Sequence, residues 1–572
     1  MSTRDSASTH FSDRFRLVIG QRANQAASTV ALGTGVATAT PDLNARMFAA
    51  GDVHTLTRAI VGAIGVPVSG LSIAAVLESQ GWTDADAQAL FQRANLMDLG
   101  QEIARESWLI HKSESAEGRP TSAYAVVAQV SGGNLHLRGP YFLAIAFLQI
   151  AGLALAGVSF GAGFGLTTLE ATATGAGLLF GLLWASGFGQ LLARDPWSLH
   201  LQGHDVLAGL AAFRVIGLSM GSAALTCGIV CALVFAALRI VPEATEAVVA
   251  ALGLGMTCFL LIILFWLLVN ALMAMGLGAA SLVATGLSMA SMIALATLAP
   301  IDLPRQATAV VGLVLACVFM SGKLATWWMS KRRHSPPNRR LPRLTGTVID
   351  EFGYVIYGAG LMLLIILDRF VAWHVGAPAG WLSFQAPYEI GLGWALMAFL
   401  IAVVGQEWVL AKFLRWINHR MAWFLLSDTQ GYQRDVRDAY WSRLTLAVTI
   451  AVASAVVMVS FLFWASTAVP WLRPILPTAE GLPVFRWGLL GYCLLSVAVF
   501  NTGLLIAVSQ PGRLILPLAF ALSVDLAVAL TSAQILGYSA SVLGLVAGAM
   551  VLLVSSTFQV MSFLKTPAYG LY

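Results

Sequence analysis

The sequence predicts an all-α integral membrane protein, with about twelve transmembrane helices in two six-helix lobes and a small N-terminal helical cytosolic module. Three observations lead to this prediction. The 572 residues are 58% hydrophobic and only 11% charged, so a soluble fold would lack enough polar surface to face water. Beyond the N-terminal region, apolar runs of about 20 residues follow one another, and each has the length of a helix that crosses a bilayer. Lysine and arginine collect in alternate loops between these runs.

The region before the first apolar run divides into three parts by composition. Residues 1–42 are rich in Ser, Thr and Ala without periodicity, which predicts a disordered tail. Residues 43–112 carry short helical patterns that predict the cytosolic module, and residues 113–139 form a linker. The start of the chain lacks the apolar segment of a secretory signal, so we expect the N-terminus to lie in the cytoplasm.

Two local patterns support helices within the module. Thr83 and Asp86 have the spacing of a capping box, which closes the start of a helix. Leu96, Leu99 and Ile103 recur at the spacing of one helix face. We therefore expect a capped helix after Thr83 and a second helix with one apolar side.

The apolar runs define two predicted lobes. A basic linker, residues 330–351, separates an N-lobe, residues 141–329, from a C-lobe, residues 352–564, and residues 565–572 form a cytoplasmic tail. Equal numbers of spans on each side suggest structural duplication, as in many transporters. The predicted spans are 141–161, 171–192, 214–239, 248–273, 278–299, 307–329, 352–375, 388–411, 444–467, 487–509, 514–536 and 540–564.

The distribution of basic residues predicts the orientation, because Lys and Arg are enriched in short cytoplasmic loops. With the N-terminus inside, most of them fall on the cytoplasmic side, and an even number of spans returns the C-terminus there as well. The outer loops carry only Arg239, Arg305, Arg473 and Arg486. The inner loops carry Arg194, Arg214, Lys331, Arg332, Arg333, Arg339, Arg340, Arg343, Lys412, Arg415, Arg420, Arg434, Arg437, Arg443, Arg513 and Lys565.

The sequence favours neither an enzyme nor a nucleic-acid-binding protein. The net charge of +5 is modest and follows from the loop asymmetry, so we expect no nucleic-acid partner. The glycine-rich stretch GAGFGLTTLEATATGAG lacks the GK[ST] of a phosphate-binding loop, and we expect its glycines to permit close helix packing. His200 and His204 have the spacing of one helix face, but no further metal ligand lies near them in the sequence. With no strong catalytic signature either, we expect no catalytic residue, no metal and no cofactor.

Polar residues inside the predicted spans are candidate functional residues, because charges at the centre of a membrane helix are costly and usually face a cavity or a partner. Asp525, Asn501, Asn270 and Lys323 lie within spans, and Glu407 lies near the end of one. For Asp525 we expect either a role in the transport pathway or in ion coupling, or a buried hydrogen bond that locks helices together. Glu407 has the alternative of reaching the membrane interface.

The stretch IILDRFVAWHVGAPAGWLSFQAPYEIG concentrates charges and aromatic residues at the outer end of the seventh span and the start of the eighth. Asp368 and Arg369 point about 100° apart on a helix and need not pair with each other, and Arg369 has the spacing for a cation–π contact with Trp373. Tyr388 and Glu389 open the next span. The stretch predicts an outer vestibule suited to sugar rings, or alternatively an interfacial aromatic belt with a structural ion pair.

This stretch resembles the PelG family of exopolysaccharide exporters, within the multidrug/oligosaccharidyl-lipid/polysaccharide (MOP) flippase superfamily. The likeness is carried by YGAGLMLLIILDRFVAW and by PYEIGLGWALMAFLIAVVGQEWVLAKFLRW, and it extends weakly over residues 139–572. The N-terminal 138 residues depart from that pattern. The residues that match the family's motif are Asp368, Arg369, Trp373, Tyr388, Glu389, Glu407 and Phe413.

The resemblance implies a bacterial inner-membrane exporter that moves a polysaccharide or a lipid-linked sugar by alternating access between two lobes. It implies membrane lipids as surroundings and other export-complex subunits as partners. The N-terminal 138 residues have two interpretations: a docking site for a cytosolic glycosyltransferase, or a module for stability or assembly. Two rivals remain within transport: a lipid-linked oligosaccharide flippase and a MATE-like antiporter. A membrane glycosyltransferase or sugar polymerase is the alternative from another class, although the longest outer loop, residues 467–486, carries few charged residues.

Overall fold

The computed structural model describes the chain in segments, and these form two units, one within Met1–Tyr124 and one within Ala125–Tyr572. The boundary between the units falls inside the predicted linker, residues 113–139. The predicted tail, residues 1–42, and residues 566–572 lie outside the described segments. The described segments are 53–64, 70–79, 82–116, 138–155, 166–201, 204–238, 245–298, 305–333, 344–377, 381–422 and 429–565.

The N-terminal unit is a small helical module with its own apolar core. Its helices are α1 (Val53–Ile64), α2 (Gly70–Ser79), α3 (Asp84–Phe91) and α4 (Leu96–Ala116). Because apolar side chains from all of these helices meet in one cluster, the module has an interior independent of the membrane-spanning part. The cluster includes Leu56, Ile60, Ile73, Leu77, Trp82, Phe91, Leu96, Leu99 and Ile103.

Both local predictions for the module are confirmed. The Asp86 carboxylate accepts a hydrogen bond from the Thr83 N–H at 2.8 Å, and Thr83 Oγ1 accepts one from the Asp86 N–H at 3.3 Å, which is the capping box at the start of α3. The Thr83 hydrogen bonds also hold the pKa of Asp86 below its ordinary value. Leu96, Leu99 and Ile103 are all buried on one face of α4.

The second unit is a bundle of long helices. The N-lobe consists of α5 (Arg138–Leu155), α6 (Thr168–Leu201), α7 (Asp205–Leu238), α8 (Thr245–Ala274), α9 (Gly278–Leu298) and α10 (Arg305–Arg332). The C-lobe consists of α11 (Leu344–Val375), α12 (Ala386–Ala422), α13 (Thr429–Ala468), α14 (Gly481–Ala507), α15 (Gly512–Leu536) and α16 (Val542–Leu564).

In the described part of the chain, 11 helices are long and apolar enough to cross a membrane. They correspond to the second through twelfth predicted spans. The first predicted span, residues 141–161, is described as α5 only as far as Leu155, and its remaining residues lie outside the described segments. The all-α membrane fold expected from the sequence is therefore confirmed.

Several helices are longer than the predicted spans. Helix α6 continues to Leu201, beyond the predicted end at 192, and α13 begins at Thr429, well before 444. Helices also cover both ends of the predicted basic linker, because α10 continues to Arg332 and α11 begins at Leu344. The sequence prediction counted apolar residues alone, whereas a helix of 40 residues such as α13 extends for about 60 Å and passes well beyond a hydrocarbon core of about 30 Å.

The two lobes repeat one packing order. In the N-lobe, α6 packs against α7 and α8, α9 packs against α5 and α10, and α8 packs against α10. In the C-lobe, α12 packs against α13 and α14, α15 packs against α11 and α16, and α14 packs against α16. Each contact of the first set recurs in the second with the helix number raised by six, which supports the structural duplication suggested by span counting.

Glycines allow the main helix pairs of both lobes to approach closely. A Cβ on Gly177 of α6 would lie 2.1 Å from the carbonyl oxygen of Gly255 on α8. In the corresponding C-lobe pair, a Cβ on Gly391 of α12 would lie 2.4 Å from the carbonyl oxygen of Gly481 on α14. Backbones meet directly at both places, as small residues permit in membrane helices. The expectation that the glycine-rich stretch serves helix packing is confirmed at Gly177.

The lobes meet mainly where α6 packs along α11, with a smaller contact between α5 and α12. We call the end of the bundle at which α10 ends and α11 begins the basic end. There, Arg194 of α6 lies 3.0 Å from the carboxylate of Glu351 on α11, and its guanidinium lies over the Tyr354 ring, 4.2 Å from the centroid. At the opposite end, Gly175 of α6 packs against the Trp373 ring of α11. The contact thus extends along most of both helices.

Candidate functional site

The C-lobe contains a buried cluster of charged and aromatic residues at the end opposite the basic end. We call it the charge cluster: Asp368, Arg369 and Trp373 of α11, with Tyr388 and Glu389 of α12. A short connection joins the two helices, so the end of α11 and the start of α12 lie side by side. All five side chains are buried, with Asp368 and Tyr388 at 0% exposure.

Hydrogen bonds satisfy both carboxylates of the charge cluster. Asp368 Oδ2 accepts a hydrogen bond from the Tyr388 hydroxyl at 2.7 Å, and its Oδ1 accepts one from the Arg369 backbone N–H at 2.9 Å. Glu389 Oε1 accepts a hydrogen bond from Trp373 Nε1 at 2.9 Å, and its other oxygen forms an ion pair with the Arg369 guanidinium. The single cation in the charge cluster thus pairs with Glu389, while Asp368 relies on a phenol and a backbone amide.

Two expectations for this stretch need correction. The charge cluster is buried inside the C-lobe, and its residues do not line an open outer vestibule in this conformation. Among the described residues, Arg369 and Trp373 do not form the expected cation–π contact. Both side chains instead bind the carboxylate of Glu389. The expectation that Asp368 and Arg369 need not pair with each other agrees with the structure.

Asp525 of α15 is a second buried acidic residue in the same lobe. Its side chain is fully buried, and neither carboxylate oxygen has a hydrogen-bond partner among the described residues. Asp368 is near enough to interact with it electrostatically. Gly544 and Gly548 of α16 pack directly against it, since a Cβ on Gly544 would lie 2.4 Å from Asp525 Oδ1. An ionised carboxylate in such surroundings is costly, so this position suits a carboxyl group that carries a proton or holds a cation.

The charge cluster also reaches the contact between the lobes. The Trp373 ring packs against Phe384, with centroids 5.5 Å apart, and a Cβ on Gly175 of α6 would lie 2.8 Å from Trp373 Cη2. Beside it, Thr172 Oγ1 of α6 accepts a hydrogen bond from the Phe384 backbone N–H at 2.9 Å. Trp373 therefore connects the Glu389 carboxylate with the surface where the lobes meet.

Two predicted residues lie in the N-lobe, apart from the charge cluster. Asn270 of α8 is half-buried and donates a hydrogen bond to the Trp266 carbonyl of its own helix at 2.8 Å. Lys323 of α10 is exposed, and its ammonium lies 5.6 Å from the centroid of the Phe319 ring. The structure thus places neither residue beside the buried acidic groups.

The other two predicted residues lie in the C-lobe, nearer the basic end. Asn501 of α14 is fully buried, accepts a hydrogen bond from the Tyr440 hydroxyl at 2.9 Å and donates one to Thr557 Oγ1 at 2.8 Å. These bonds tie α13, α14 and α16 together. Glu407 of α12 is exposed, whereas the adjacent Gln406 is buried and donates to the Ala447 carbonyl at 3.1 Å. Of this pair, the structure places Gln406 in the interior.

Sequence reasoning missed two residues that complete the surroundings of the charge cluster. Tyr492 of α14 is buried beside Arg369, and Ser541, at the start of α16, lies beside Tyr388. Tyr492 is the only tyrosine in its predicted span, residues 487–509, and this signal could have marked it. Ser541 carries no comparable signal, because serine is common in membrane helices.

The interior of the N-lobe differs in kind. A cavity of about 350 Å³ lies between α5, α6, α8, α9 and α10. Its lining includes the apolar residues Leu178, Leu254, Trp266 and Met292, and no residue that lines it is charged. Among the described residues, every buried charged side chain belongs instead to a C-lobe helix. The polar lining residues of the cavity are Gln149, Thr174 and Ser288.

Comparison with solved structures identifies the fold. An outward-facing multidrug resistance MATE family transporter of the MOP superfamily superposes with a TM-score of 0.51, at 14% identity, over 77% of this chain and 98% of that one. A MATE protein in a bent conformation gives a TM-score of 0.52, at 15% identity, over 77% and 98% of the two chains. This chain has the MOP transporter fold.

A third structure with the MOP fold is distinguished by the polarity of its own binding pocket. It is a MOP superfamily transporter from Pyrococcus furiosus described as having a binding pocket of reversed polarity, and it superposes with a TM-score of 0.51, at 15% identity, over 76% of this chain and 98% of that one. No protein-family model matches the chain, and no curated protein matches it. The likeness therefore supports the MOP fold and does not extend to the PelG family.

Proposed function

We propose that this chain is a membrane transporter that moves a lipid-linked sugar or a polysaccharide across the bilayer by alternating access, coupled to proton binding in the C-lobe. The observation that carries the proposal is Asp525, a fully buried carboxyl group without a hydrogen-bond partner among the described residues, inside a bundle with the MOP fold. Buried ionisable groups in membrane helices often belong to substrate, ion or proton pathways, so a carboxyl group in this position is suited to gain and lose a proton during the cycle.

Alternating access is supported by the way the lobes meet. The α6–α11 contact has an ion pair, Arg194 with Glu351, at the basic end and aromatic packing, Trp373 on Gly175, at the other. Either end can separate while the other remains closed, which is how rocking lobes expose a site to one side at a time. Each lobe has its own cluster of buried apolar residues, as expected of two lobes that move as rigid bodies.

The order of contacts in the C-lobe supports the proposed proton coupling. When Asp525 loses its proton, its carboxylate adds a negative charge near Asp368 in a low-dielectric interior. That charge acts on Asp368, which itself interacts with Arg369, and we expect it to shift the guanidinium that holds Glu389. Because Glu389 also accepts the Trp373 hydrogen bond, the rearrangement is transmitted to Trp373 and from there to the contact with α6. Proton binding restores the closed contact.

The N-lobe cavity supports a lipid-linked substrate. Its lining is mostly apolar and carries no charged residue, so it suits the hydrocarbon part of a substrate rather than a cation. The likeness of residues 354–416 to PelG-type exporters supports a sugar as the other part. The N-terminal module, with its separate core, is the natural place for a cytosolic glycosyltransferase partner to dock.

The same reasoning extends to the location of the chain. We place it in a bacterial inner membrane with the basic end and both termini in the cytoplasm, since Lys and Arg are enriched in cytoplasmic loops. A MATE-like drug antiporter is the second candidate, and the names of the structural neighbours favour it. The uncharged N-lobe cavity separates the two candidates, because a cationic drug would find no counter-charge there.

The test is a translocation assay with the purified full chain in proteoliposomes. The probes are a fluorescent lipid-linked sugar, followed by the accessibility of its label to a membrane-impermeant quencher, and ethidium as a cationic drug. Each is measured with and without a pH gradient. We expect movement of the lipid-linked sugar, faster with the gradient, and no movement of ethidium. The variant A309F, which fills the N-lobe cavity, should slow the movement of the sugar lipid while the protein remains monodisperse.

Movement of ethidium alone would replace the proposal with the antiporter. Movement of neither probe, in vesicles that hold the gradient and contain folded protein, would contradict a transport function for these substrate classes. If the lipid-linked sugar moved at the same rate with and without the pH gradient, the proposal of transport would stand and that of proton coupling would be contradicted.

A further inference from the structure

We propose that a cleft at the basic end of the C-lobe binds the phosphate of an anionic lipid headgroup. The cleft lies between the start of α13 and the end of α16 and has a volume of about 340 Å³. It is separate from the charge cluster and from the N-lobe cavity. The site is independent of which molecule the protein transports.

The lining of the cleft combines a cationic rim with an apolar floor. Helix α13 contributes Arg434 and Arg437, which lie about one turn apart, and α16 contributes Lys565. Gln433 adds a neutral amide, and the remaining lining residues are Met561 and Leu564 of α16. An amphipathic cleft of this kind suits a headgroup whose phosphate meets the rim and whose glycerol backbone meets the floor.

Two of the three cations of the cleft lack the ion-pair partners that similar residues have elsewhere at the basic end. In the N-lobe, Lys331 Nζ lies 2.7 Å from Asp205, and Arg194 lies 3.0 Å from Glu351. In the cleft, by contrast, Arg434 and Lys565 have no ion-pair partner in the described part of the chain.

The acidic residues nearest to the cleft do not neutralise it. Arg437 Nε approaches Asp438 Oδ1 only to 3.9 Å, with both side chains more than half exposed, and such surface pairs contribute little. Asp435, on the same turn of α13, is exposed. Two unpaired cations and one weakly paired cation around one cleft therefore favour an anion from outside the chain.

The depth of the cleft favours a lipid as the source of that anion. Lys565 directly follows the apolar segment of α16, so it lies at the level where headgroups meet the hydrocarbon core. The cleft is formed by α13 and α16, and the α6–α11 contact between the lobes does not contribute to it. A lipid can therefore reach it from the surrounding bilayer without entering the transport pathway.

The test is a binding measurement on the purified full chain by native mass spectrometry, with short-chain phosphatidylglycerol as the probe. Short-chain phosphatidylcholine serves as a zwitterionic control, and inorganic phosphate as a free anion. The variant R434Q/K565Q removes one cation from each side of the cleft. Its matched control, R332Q/R333Q, removes two exposed cations from the same end of the bundle, at the end of the N-lobe helix α10.

We expect R434Q/K565Q to weaken phosphatidylglycerol binding more than tenfold, since each basic residue near an anionic surface contributes about fivefold. The control should change binding less than threefold, and phosphatidylcholine should bind weakly to all forms. Equal losses in both double variants would overturn the site and leave only the general attraction of a basic surface. Binding of inorganic phosphate as tightly as the lipid would overturn the assignment to a lipid. None of the variants buries a new group, so each should elute from a size-exclusion column as the wild type does.

Discussion

The N-lobe and the C-lobe share one arrangement of six helices and differ in what fills it. In the N-lobe the interior is apolar and includes a cavity of about 350 Å³. In the C-lobe the interior holds Asp368, Arg369, Glu389 and Asp525, together with hydrogen-bonded networks around Asn501 and Thr502. The contrast shows that the order of helix packing does not decide the chemistry of the interior, which is set by a few side chains.

In the proposed function, the two tasks of a proton-coupled transporter belong to different lobes. An uncharged cavity binds apolar groups without regard to pH, whereas buried carboxyl groups respond to protons and do little for an apolar ligand. Separating the tasks requires a mechanical link, and we propose Trp373 for this role, because it binds Glu389 in the C-lobe and packs on Gly175 of the N-lobe. The predictions below test this division.

The largest effect is expected from removing the one cation of the charge cluster. R369Q leaves Glu389 buried without its counter-charge, which costs about 3–5 kcal/mol of unfolding free energy. The double variant R369Q/E389Q removes both charges and should recover most of that loss. Equilibrium unfolding in mixed detergent micelles measures both. A single variant as stable as wild type would mean that the ion pair contributes nothing to the C-lobe interior.

A smaller effect is expected at the helix contact that encloses Asp525. G544A places a Cβ within 2.4 Å of Asp525 Oδ1 and 2.6 Å of the Ala529 Cβ, and such overpacking costs about 1–3 kcal/mol. The matched N-lobe variant is G286A in α9, where a Cβ meets nothing within 4 Å. It should leave stability unchanged or raise it by up to about 1 kcal/mol. If G544A proved as harmless as G286A under the same unfolding conditions, α15 and α16 would have to be packed less tightly than described.

The smallest effects are expected from two matched threonine substitutions with opposite signs. Thr174 lines the N-lobe cavity and its hydroxyl is buried without a hydrogen-bond partner among the described residues, so T174V should stabilise the protein by about 0.5–1 kcal/mol. Thr502 Oγ1 hydrogen bonds with the Tyr357 hydroxyl at 2.7 Å, so T502V should destabilise it by about 1–2 kcal/mol. Changes of the same sign in melting temperature would argue against the contrast between the lobe interiors.

The sequence was sufficient to predict the fold class and those residues of the charge cluster that lie near one another in the chain. Apolar runs of membrane-spanning length and the asymmetry of basic loops imply the helices and their alternation. Asp368, Arg369 and Glu389 come together because only a short connection separates α11 from α12, so neighbours in sequence become neighbours in space. Because charges in an apolar run are energetically costly, these residues could be predicted as candidate functional residues.

The rest of the site depends on which face of a helix is buried, and one sequence does not settle that. Lys323 was a candidate because it lies in a span, and Glu407 had the alternative of reaching the membrane interface. Both side chains are exposed, and the neighbouring Gln406 lies inside. The approach of Asp525 to Asp368 joins residues far apart in the chain, which no local pattern reports. The N-lobe cavity could not be predicted from the sequence, because its lining consists of residues that any membrane helix contains.

The most direct test of the division of labour is proton uptake by proteoliposomes when the lipid-linked sugar is added, measured for the wild type, D525N and the N-lobe variant A309F. D525N keeps the size of the side chain and cannot bind a proton, so we expect it to fold, to bind the substrate and to lose substrate-driven proton uptake. A309F should respond to protons and fail at substrate binding. Proton uptake by D525N equal to that of the wild type would contradict the claim that the C-lobe carboxyl groups couple transport to protons.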